Sequence, residues 1–383
     1  MHNPEVIMDL AKRMLANLDA RTTDLAPDIY RNPVTRYTDP QRWQLELDKI
    51  FRGVPLVLGL TAQLRTPGEY SALDVAGTPV LLVRQDDASV RGFLNICRHR
   101  GAPVVADGCG AARRFTCGYH AWSYNRTGKL VGVTEAQTFG ELDRSTLGLV
   151  EIPVAERAGL IFGLPRAGAE LDIDAWLGDF AEELACLELD KRHVFSSREL
   201  KAANWKLAYD GYLEGYHFAA LHPRTIFELD YSNLMLVDAY GPHQRVVFCR
   251  KTMPEMRALP EAEWRPAEQL GIIDAIFPHA AVSSAYGGEY ALVSVLFPGA
   301  TPGTSRTVQT LLTLTPTEGD EERVAEAQRM SDFFYDAVED EDYKMNFSMQ
   351  RGLDSGAAEE LIFGRNELAL HHFHTWIDRL VEA

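Results

Sequence analysis

Apolar residues recur along this chain with two different spacings. Between roughly Tyr37 and Leu164 they form short runs broken by turn residues: PLVLGL (55–60), EYSALDV (69–75), TPVLLVRQ (78–85), RGFLNIC (91–97) and AGLIFGLP (158–165). Runs of this length at such intervals predict a compact β domain. After Leu171 the spacing becomes that of amphipathic helices, first in DAWLGDFAEELACL (174–187) and then in a helical stretch from Asn204 to about Leu221. Strands return at YALVSVLF (290–297) and SRTVQTLLTLT (305–315). A long helix opens near Thr317 with Val324, Ala327, Phe334 and Val338 as its stripe, and the C-terminal segment sets Phe373, Trp376, Ile377 and Leu380 on one side of a closing helix. Ile7, Leu10, Met14 and Leu18 mark an N-terminal helix, assigned to the second domain. The expected class is α+β: an all-β domain at 38–165, and a second domain from 1–37 and 166–383 in which helices surround an antiparallel sheet.

Composition narrows the possible roles. A chain of 383 residues has room for two to three domains, and 46% hydrophobic with 24% charged residues is the balance of a globular protein. The formal charge of −17 repels polyanions, so neither nucleic acid nor an anionic membrane is expected as a partner. The N-terminus lacks the basic flank and apolar run of a signal peptide, and no stretch has the apolar length to span a bilayer; a cytoplasmic location is expected. Five cysteines, Cys97, Cys109, Cys117, Cys186 and Cys249, are an odd number in a long chain and point to thiolates rather than to a disulfide framework.

Two of these thiols stand beside histidines. Cys97-Arg98-His99 is followed, after seventeen intervening residues, by Cys117-Gly118-Tyr119-His120. Such a pair of chelating loops suits tetrahedral zinc, or a Rieske centre in which two thiolates hold one iron of a [2Fe-2S] cluster and two imidazoles hold the other. Cys109, between the halves, reads as an ordinary loop thiol. A second concentration of donors lies in NWKLAYDGYLEGYHFAALHPRT (204–225), where Asp210, Glu214 and His217 fall at i, i+4 and i+7 on one face of a continuous helix. Two acids and an imidazole on a core-facing surface are costly unless they bind a metal or pair with one another. His222 follows His217 by five residues, and Pro223 ends or distorts the helix there, which lets both imidazoles reach one ion.

The stretch NICRHRGAPV…FTCGYHAWSYNRTGKL resembles the Rieske motif of ring-hydroxylating oxygenase α subunits, down to Tyr119, Trp122 and the turn at Gly128. Position 121 is Ala where that family usually has Gly, a methyl group the loop is expected to tolerate. The segment after Asn204-Trp205-Lys206 matches the family's acid-x-x-His-x4-His pattern, and Asp342 ahead of Gln350-Arg351-Gly352 matches its downstream acid, with Asp340 as runner-up and Glu339 and Glu341 as a solvated charge run.

The resemblance implies a [2Fe-2S] cluster on Cys97, His99, Cys117 and His120, and a mononuclear Fe(II) on His217, His222 and Asp342. It also implies that Glu214 links His217 to His120 of a neighbouring copy, that Asp210 orients a ligand from behind, and that the chain works as a homotrimer or a multiple of it. The implied activity is hydroxylation of an organic, most simply aromatic, molecule with O2. Glutamate at 214 resembles the quaternary-ammonium monooxygenases of the same superfamily, so attack on an N-methyl, O-methyl or quaternary ammonium compound is the alternative. No Gly-x-Gly-x-x-Gly follows a strand, so electrons are expected from an NAD(P)H-dependent reductase or ferredoxin. A Rieske electron carrier would share the motif but has no use for the two hundred residues that follow it. Phe227, Leu234, Phe277 and Phe297 are the expected pocket residues, and His371, His372 and His374 read as packing and surface residues.

Overall fold

The computed structural model describes residues 2–285 and 287–382. The chain divides into two compact units, one of Phe51–Trp176 and one of Met1–Ile50 with Leu177–Ala383. Residues 51–176 hold 13 Lys+Arg and 13 Asp+Glu, so the whole surplus of negative charge resides in the other unit.

The unit Phe51–Trp176 consists of three antiparallel sheets. The largest orders its strands Glu151–Ile152, Val90–Leu94, Thr78–Arg84, Glu69–Val75, Gly108–Ala111; Leu56–Leu60 pairs with Leu160–Gly163 and then Val154–Arg157. The third joins Arg114–Thr116, Ser123–Asn125 and Leu130–Gly132. Leu81, Val83, Phe93, Trp122 and Tyr124 form the core, and Cys97 and Cys117 are buried within it. The strand expected at 91–97 ends at Leu94, because Asn95 turns the chain: its side chain accepts from Val104 N and Val105 N and donates to Val105 O, closing the loop that carries Cys97.

The larger unit is built on a seven-stranded antiparallel sheet in the order His193–Ala202, Ser305–Thr313, Tyr290–Pro298, Ala280–Ala285, Leu270–Ile276, His243–Cys249, Leu236–Tyr240. Only two of these strands are evident from the apolar pattern. His243, Gln244, Arg245 and Asp274 interrupt the hydrophobic runs of two others, yet all four are buried. Arg245 Nε donates to Asp274 Oδ1 at 3.1 Å and its NH2 to Glu183 at 2.9 Å, while Gln244 donates to Ala369 O at 3.1 Å. These polar side chains are paired inside the core rather than exposed, so the usual alternation is lost.

The helix Pro4–Ala20 packs Ile7, Leu10 and Met14 against Leu236, Val247 and Ile272 of the sheet. The closing helix runs Leu368–Glu382, and the segment 174–187 splits into Ile173–Leu177 and Phe180–Ala185. A further helix, Trp205–Asp210, lies on strands Tyr290–Pro298 and Ser305–Thr313, capped by the Asn204 side chain on Lys206 N.

That helix is tied to the N-terminal segment by a buried ion pair. Lys206 Nζ lies 2.6 and 2.5 Å from the two Glu46 oxygens, and Trp205 Nε1 donates to the same carboxylate at 3.0 Å. Burial lowers the Lys206 pKa, and Glu46 works against that fall. Removing one member leaves a buried charge alone, which costs about 3–5 kcal/mol. Glu46→Gln is therefore expected to destabilise this unit by roughly that amount in denaturant unfolding. The double change Glu46→Leu with Lys206→Met is expected to regain at least half of it.

Candidate metal centres

The first centre is made by two turns of the same design. Gly101 N donates to Cys97 O at 3.0 Å and Cys97 N to Ala102 O at 2.8 Å; four positions apart in the same way, Ala121 N donates to Cys117 O at 3.0 Å and Cys117 N to Trp122 O at 2.9 Å. Each turn presents a buried thiol and a half-buried imidazole. The rings of His99 and His120 lie 4.6 Å apart, and His99 stacks on Trp122 at 4.9 Å. The Tyr124 hydroxyl accepts from Arg98 N at 2.9 Å and stands 3.4 Å from Cys97 Sγ. Burial, and then the contact with Cys97, raise the Tyr124 pKa, so the phenol keeps its proton to donate to the sulfur. Two unpaired thiols and two imidazoles on matched turns fit a site with one sulfur-held and one nitrogen-held metal. Cys109 is exposed in the strand Gly108–Ala111, outside these turns.

The second centre departs from the continuous helix expected over Asn204 to Leu221. The helix stops at Asp210, and His217 is the N-cap of a separate short helix, Phe218–Leu221. Glu214 enforces the break, because its carboxylate accepts from Tyr216 N and His217 N, two amides that a continuing helix would bond internally. Gly215 permits it, because a Cβ there would lie 2.8 Å from the ring of Phe248. The same Glu214 carboxylate also holds His217 Nδ1.

His222 is fully buried, with Nδ1 2.6 Å from Glu341 Oε2, an oxygen that also accepts from Thr225 Oγ1 at 2.6 Å. Its Nε2 lies 3.1 Å from Asp342 Oδ1 but off the hydrogen-bonding direction, so this buried nitrogen has no hydrogen-bond partner. His217 Nε2 is 3.7 Å from the same oxygen. One donor atom each from His217, His222 and Asp342 falls within 4.8 Å of the others, the dimensions of a metal site. Burial disfavours charge on His222, yet Asp342 and Glu341 outweigh it and raise its pKa, so the field here draws a cation.

Asp342 lies in the π-helical stretch Asp336–Tyr343, where wider winding turns its carboxylate toward the histidines. Asp340 is exposed and bonds Lys344 Nζ at 2.5 Å. Glu341 is not part of a solvated run, since it fixes His222. Asp210 is not bonded to either of these histidines. Its Oδ1 lies 2.8 Å from His374 Nε2 and its Oδ2 accepts from Tyr37 at 3.0 Å, because the break after Asp210 rotates it away from His217. His374 is accordingly buried against Asp210, Tyr37 and Asn32 rather than on the surface. No local pattern announces Glu341 or His374; both are reached only through tertiary contacts.

A cavity of about 440 Å³ counts His217, His222 and Asp342 among its lining residues. Its walls are mainly apolar, with Phe218, Ile226, Phe248, Leu292, Met330 and Phe333 among them. The four expected pocket residues lie elsewhere. Phe277 packs on Phe373, Phe297 on His279, Phe227 on Lys251, and Leu234 in the cluster under the N-terminal helix.

The profile of the "Ring hydroxylating alpha subunit (catalytic domain)" family matches residues 189–383, and that of the "Rieske [2Fe-2S] domain" matches residues 55–147. The chain is 36% identical over 217 residues, 55% of its length and 46% of the relative's, to chlorobenzene dioxygenase subunit alpha of Cupriavidus sp. (strain PS12). It is 30% identical over 238 residues, 60% of its length and 53% of the relative's, to the glycine betaine monooxygenase oxygenase subunit of Chromohalobacter salexigens. The chain thus spans about half the length of the curated relatives it matches. In fold it is similar to the quaternary ammonium Rieske monooxygenase CntA in complex with L-carnitine, with TM-score 0.78, 20% identity and 99% of both chains covered. Among the described residues no helix is long and apolar enough to cross a membrane.

The matched turns differ in one respect. Gly101 has φ +79° and Ala121 φ +56°, so the second turn holds an alanine in the left-handed region. The strain is about 1 kcal/mol. Ala121→Gly is expected to stabilise the unit Phe51–Trp176 by up to that amount, read as a higher unfolding midpoint.

Proposed function

Because the chain belongs to the ring-hydroxylating α-subunit family and carries a Rieske [2Fe-2S] domain ahead of its catalytic domain, we propose that it is a terminal oxygenase that hydroxylates an organic, aromatic substrate with O2. The observation that carries this reading is the convergence of His217, His222 and Asp342 on the wall of a mainly apolar cavity. When bound, the two metal groups supply one-electron storage and an Fe(II) with open positions for dioxygen. Cys97, Cys117, His99 and His120 hold the cluster, and Tyr124 donates to the Cys97 sulfur. His217, His222 and Asp342 hold the iron; Glu214 and Glu341 keep a proton on each Nδ1, so that both Nε2 atoms face the metal as neutral ligands. The cavity walls exclude water and keep an arene against the open side of this triad.

Glu214 serves a second purpose, bridging His217 to His120 of a neighbouring copy, which makes the working unit a closed ring, a homotrimer or a multiple of it. Tyr119 and Tyr216, adjacent to His120 and to the Glu214 loop, are 57% and 60% exposed, in keeping with surfaces that another copy covers. Electrons enter from a separate reductase or ferredoxin that draws on NAD(P)H. A cytoplasmic setting suits five cysteines that are all unpaired. A second reading, monooxygenation of an N-methyl, O-methyl or quaternary ammonium compound, is favoured by one residue: the bridging acid is the glutamate of Glu214.

Asp342→Ala is expected to keep the visible spectrum of the cluster while losing mononuclear iron, with substrate-dependent oxygen uptake falling on the order of 100-fold or more. Asp340→Ala should change neither, and the reverse pattern would reassign the ligand. Glu214→Gln is expected to retain both metals and slow cluster oxidation in a single turnover by roughly 10–100-fold. An unchanged rate would remove the bridging role.

A further inference from the structure

In the core that encloses the two thiols of the smaller unit, one polar atom is left over. Trp122 is 3% exposed, and its Nε1, sealed from solvent, has no hydrogen-bond partner among the described residues. An indole nitrogen can only donate, and a buried N–H without an acceptor is costly. Buried tryptophans ordinarily find a partner for this group, so its isolation in a native core calls for an acceptor that is not a protein atom. Trp43 Nε1 is unpartnered too, but it belongs to the other unit and to a partly exposed residue, which a small rotation brings to water.

The surroundings of Trp122 narrow what that acceptor is. The buried residues of this core are hydrocarbon apart from Trp122 itself, the Cys97 and Cys117 thiols and the Tyr124 hydroxyl. That hydroxyl is already engaged, by Arg98 N at 2.9 Å and Cys97 Sγ at 3.4 Å. A trapped water would need about two to four polar partners, and beyond the thiols this core's side chains offer none that is free. Trp122 is also held against the metal-binding residues. Its carbonyl accepts from Cys117 N at 2.9 Å, its ring stacks on His99 with centroids 4.9 Å apart and planes 12° from parallel, and Phe139 closes against both rings at 5.6 Å. The N–H lies in the indole plane, so these nearly parallel rings direct it past the imidazole rather than into its face.

We propose that Trp122 Nε1 donates a hydrogen bond to an inorganic sulfide of the [2Fe-2S] cluster and thereby raises the cluster's reduction potential. This rests on Cys97, His99, Cys117 and His120 holding that cluster. The cluster brings into this core what its side chains lack, sulfur atoms that carry negative charge and accept hydrogen bonds. One-electron reduction adds a negative charge spread over them, so a buried N–H on a sulfide stabilises the reduced form more than the oxidised one. Tyr124 acts in the same sense on the Cys97 sulfur. Trp122 then sets how strong a reductant the electron donor must be, and how much driving force remains for passing the electron on.

The test uses the intact, cluster-loaded protein and needs no turnover. Growth on tryptophan carrying nitrogen-15 in the indole labels all six tryptophans, of which only Trp122 and Trp176 lie in the unit Phe51–Trp176. Pulsed EPR of the reduced cluster is expected to show a nitrogen-15 coupling that disappears in Trp122→Phe. That variant keeps an aromatic ring over His99 but has no N–H. Its reduced fraction at a fixed potential is expected to fall about tenfold, a midpoint lower by about 59 mV for one electron. Replacing Trp122 by β-(3-benzothienyl)alanine, which has sulfur in place of the N–H, should lower it equally. A wild-type midpoint with benzothienylalanine would overturn the proposal. So would labelled wild-type protein with no indole coupling, and that result stands even where a variant fails to fold. Purified protein lacking a Rieske spectrum would overturn the cluster reading and this role together, whereas a Rieske spectrum without the coupling would overturn the role alone.

Discussion

A neutral imidazole turns a chosen nitrogen's lone pair toward a metal when its proton is held on the other nitrogen, and inside a protein that N–H must not be left without an acceptor. Glu214 on His217 and Glu341 on His222 meet this requirement, and much of the surrounding architecture follows from it. For Glu214 to reach back to a histidine three residues on, the chain between them leaves the helix. For Glu341 and Asp342 to act in opposite senses, one bonding Nδ1 of His222 and the other facing Nε2, two consecutive residues must flank one ring. The π-helical winding of Asp336–Tyr343 provides that.

Such irregular segments need rigid supports. Asp210, the last residue of the helix before the break, is clamped by Tyr37 and His374 from the N- and C-terminal ends of the chain. Four residues earlier, Lys206 is locked to Glu46. The segments at the two ends of the sequence thus brace the loop that carries Glu214 and His217. In the smaller unit the support is more economical: each thiol sits at the start of a closed turn, and one asparagine side chain ties down the loop of the first.

What could be read from residues alone follows the same division. The Cys/His turns are local, so spacing located them, and the strands Leu56–Leu60 and Leu160–Gly163 show in uninterrupted apolar runs. The broken helix was not visible, because the amides that Glu214 takes are invisible in a periodicity argument. Two strands of the large sheet were hidden by Arg245 and Asp274, whose charges offset one another only across the pairing of those strands. Glu341 reads with Glu339 as part of a solvated charge run, and nothing but its position beside His222 distinguishes it. Phe277 and Phe297 were plausible pocket residues by type, yet they pack against Phe373 and His279, leaving Phe218 and Phe248 to face the cavity.

Asp342 and the wall residues Met330 and Phe333 belong to one uninterrupted stretch of helical backbone, Glu321–Tyr335 running into Asp336–Tyr343, while Leu292 and Ile273 come from the sheet. The two sides of the cavity therefore differ in how freely they can evolve. Changes on the sheet side reshape the space without displacing Asp342. Changes on the helical side are transmitted along the backbone to the Asp342 carboxylate, so the cavity can be reshaped with least effect on the His217–His222–Asp342 cluster through the strands.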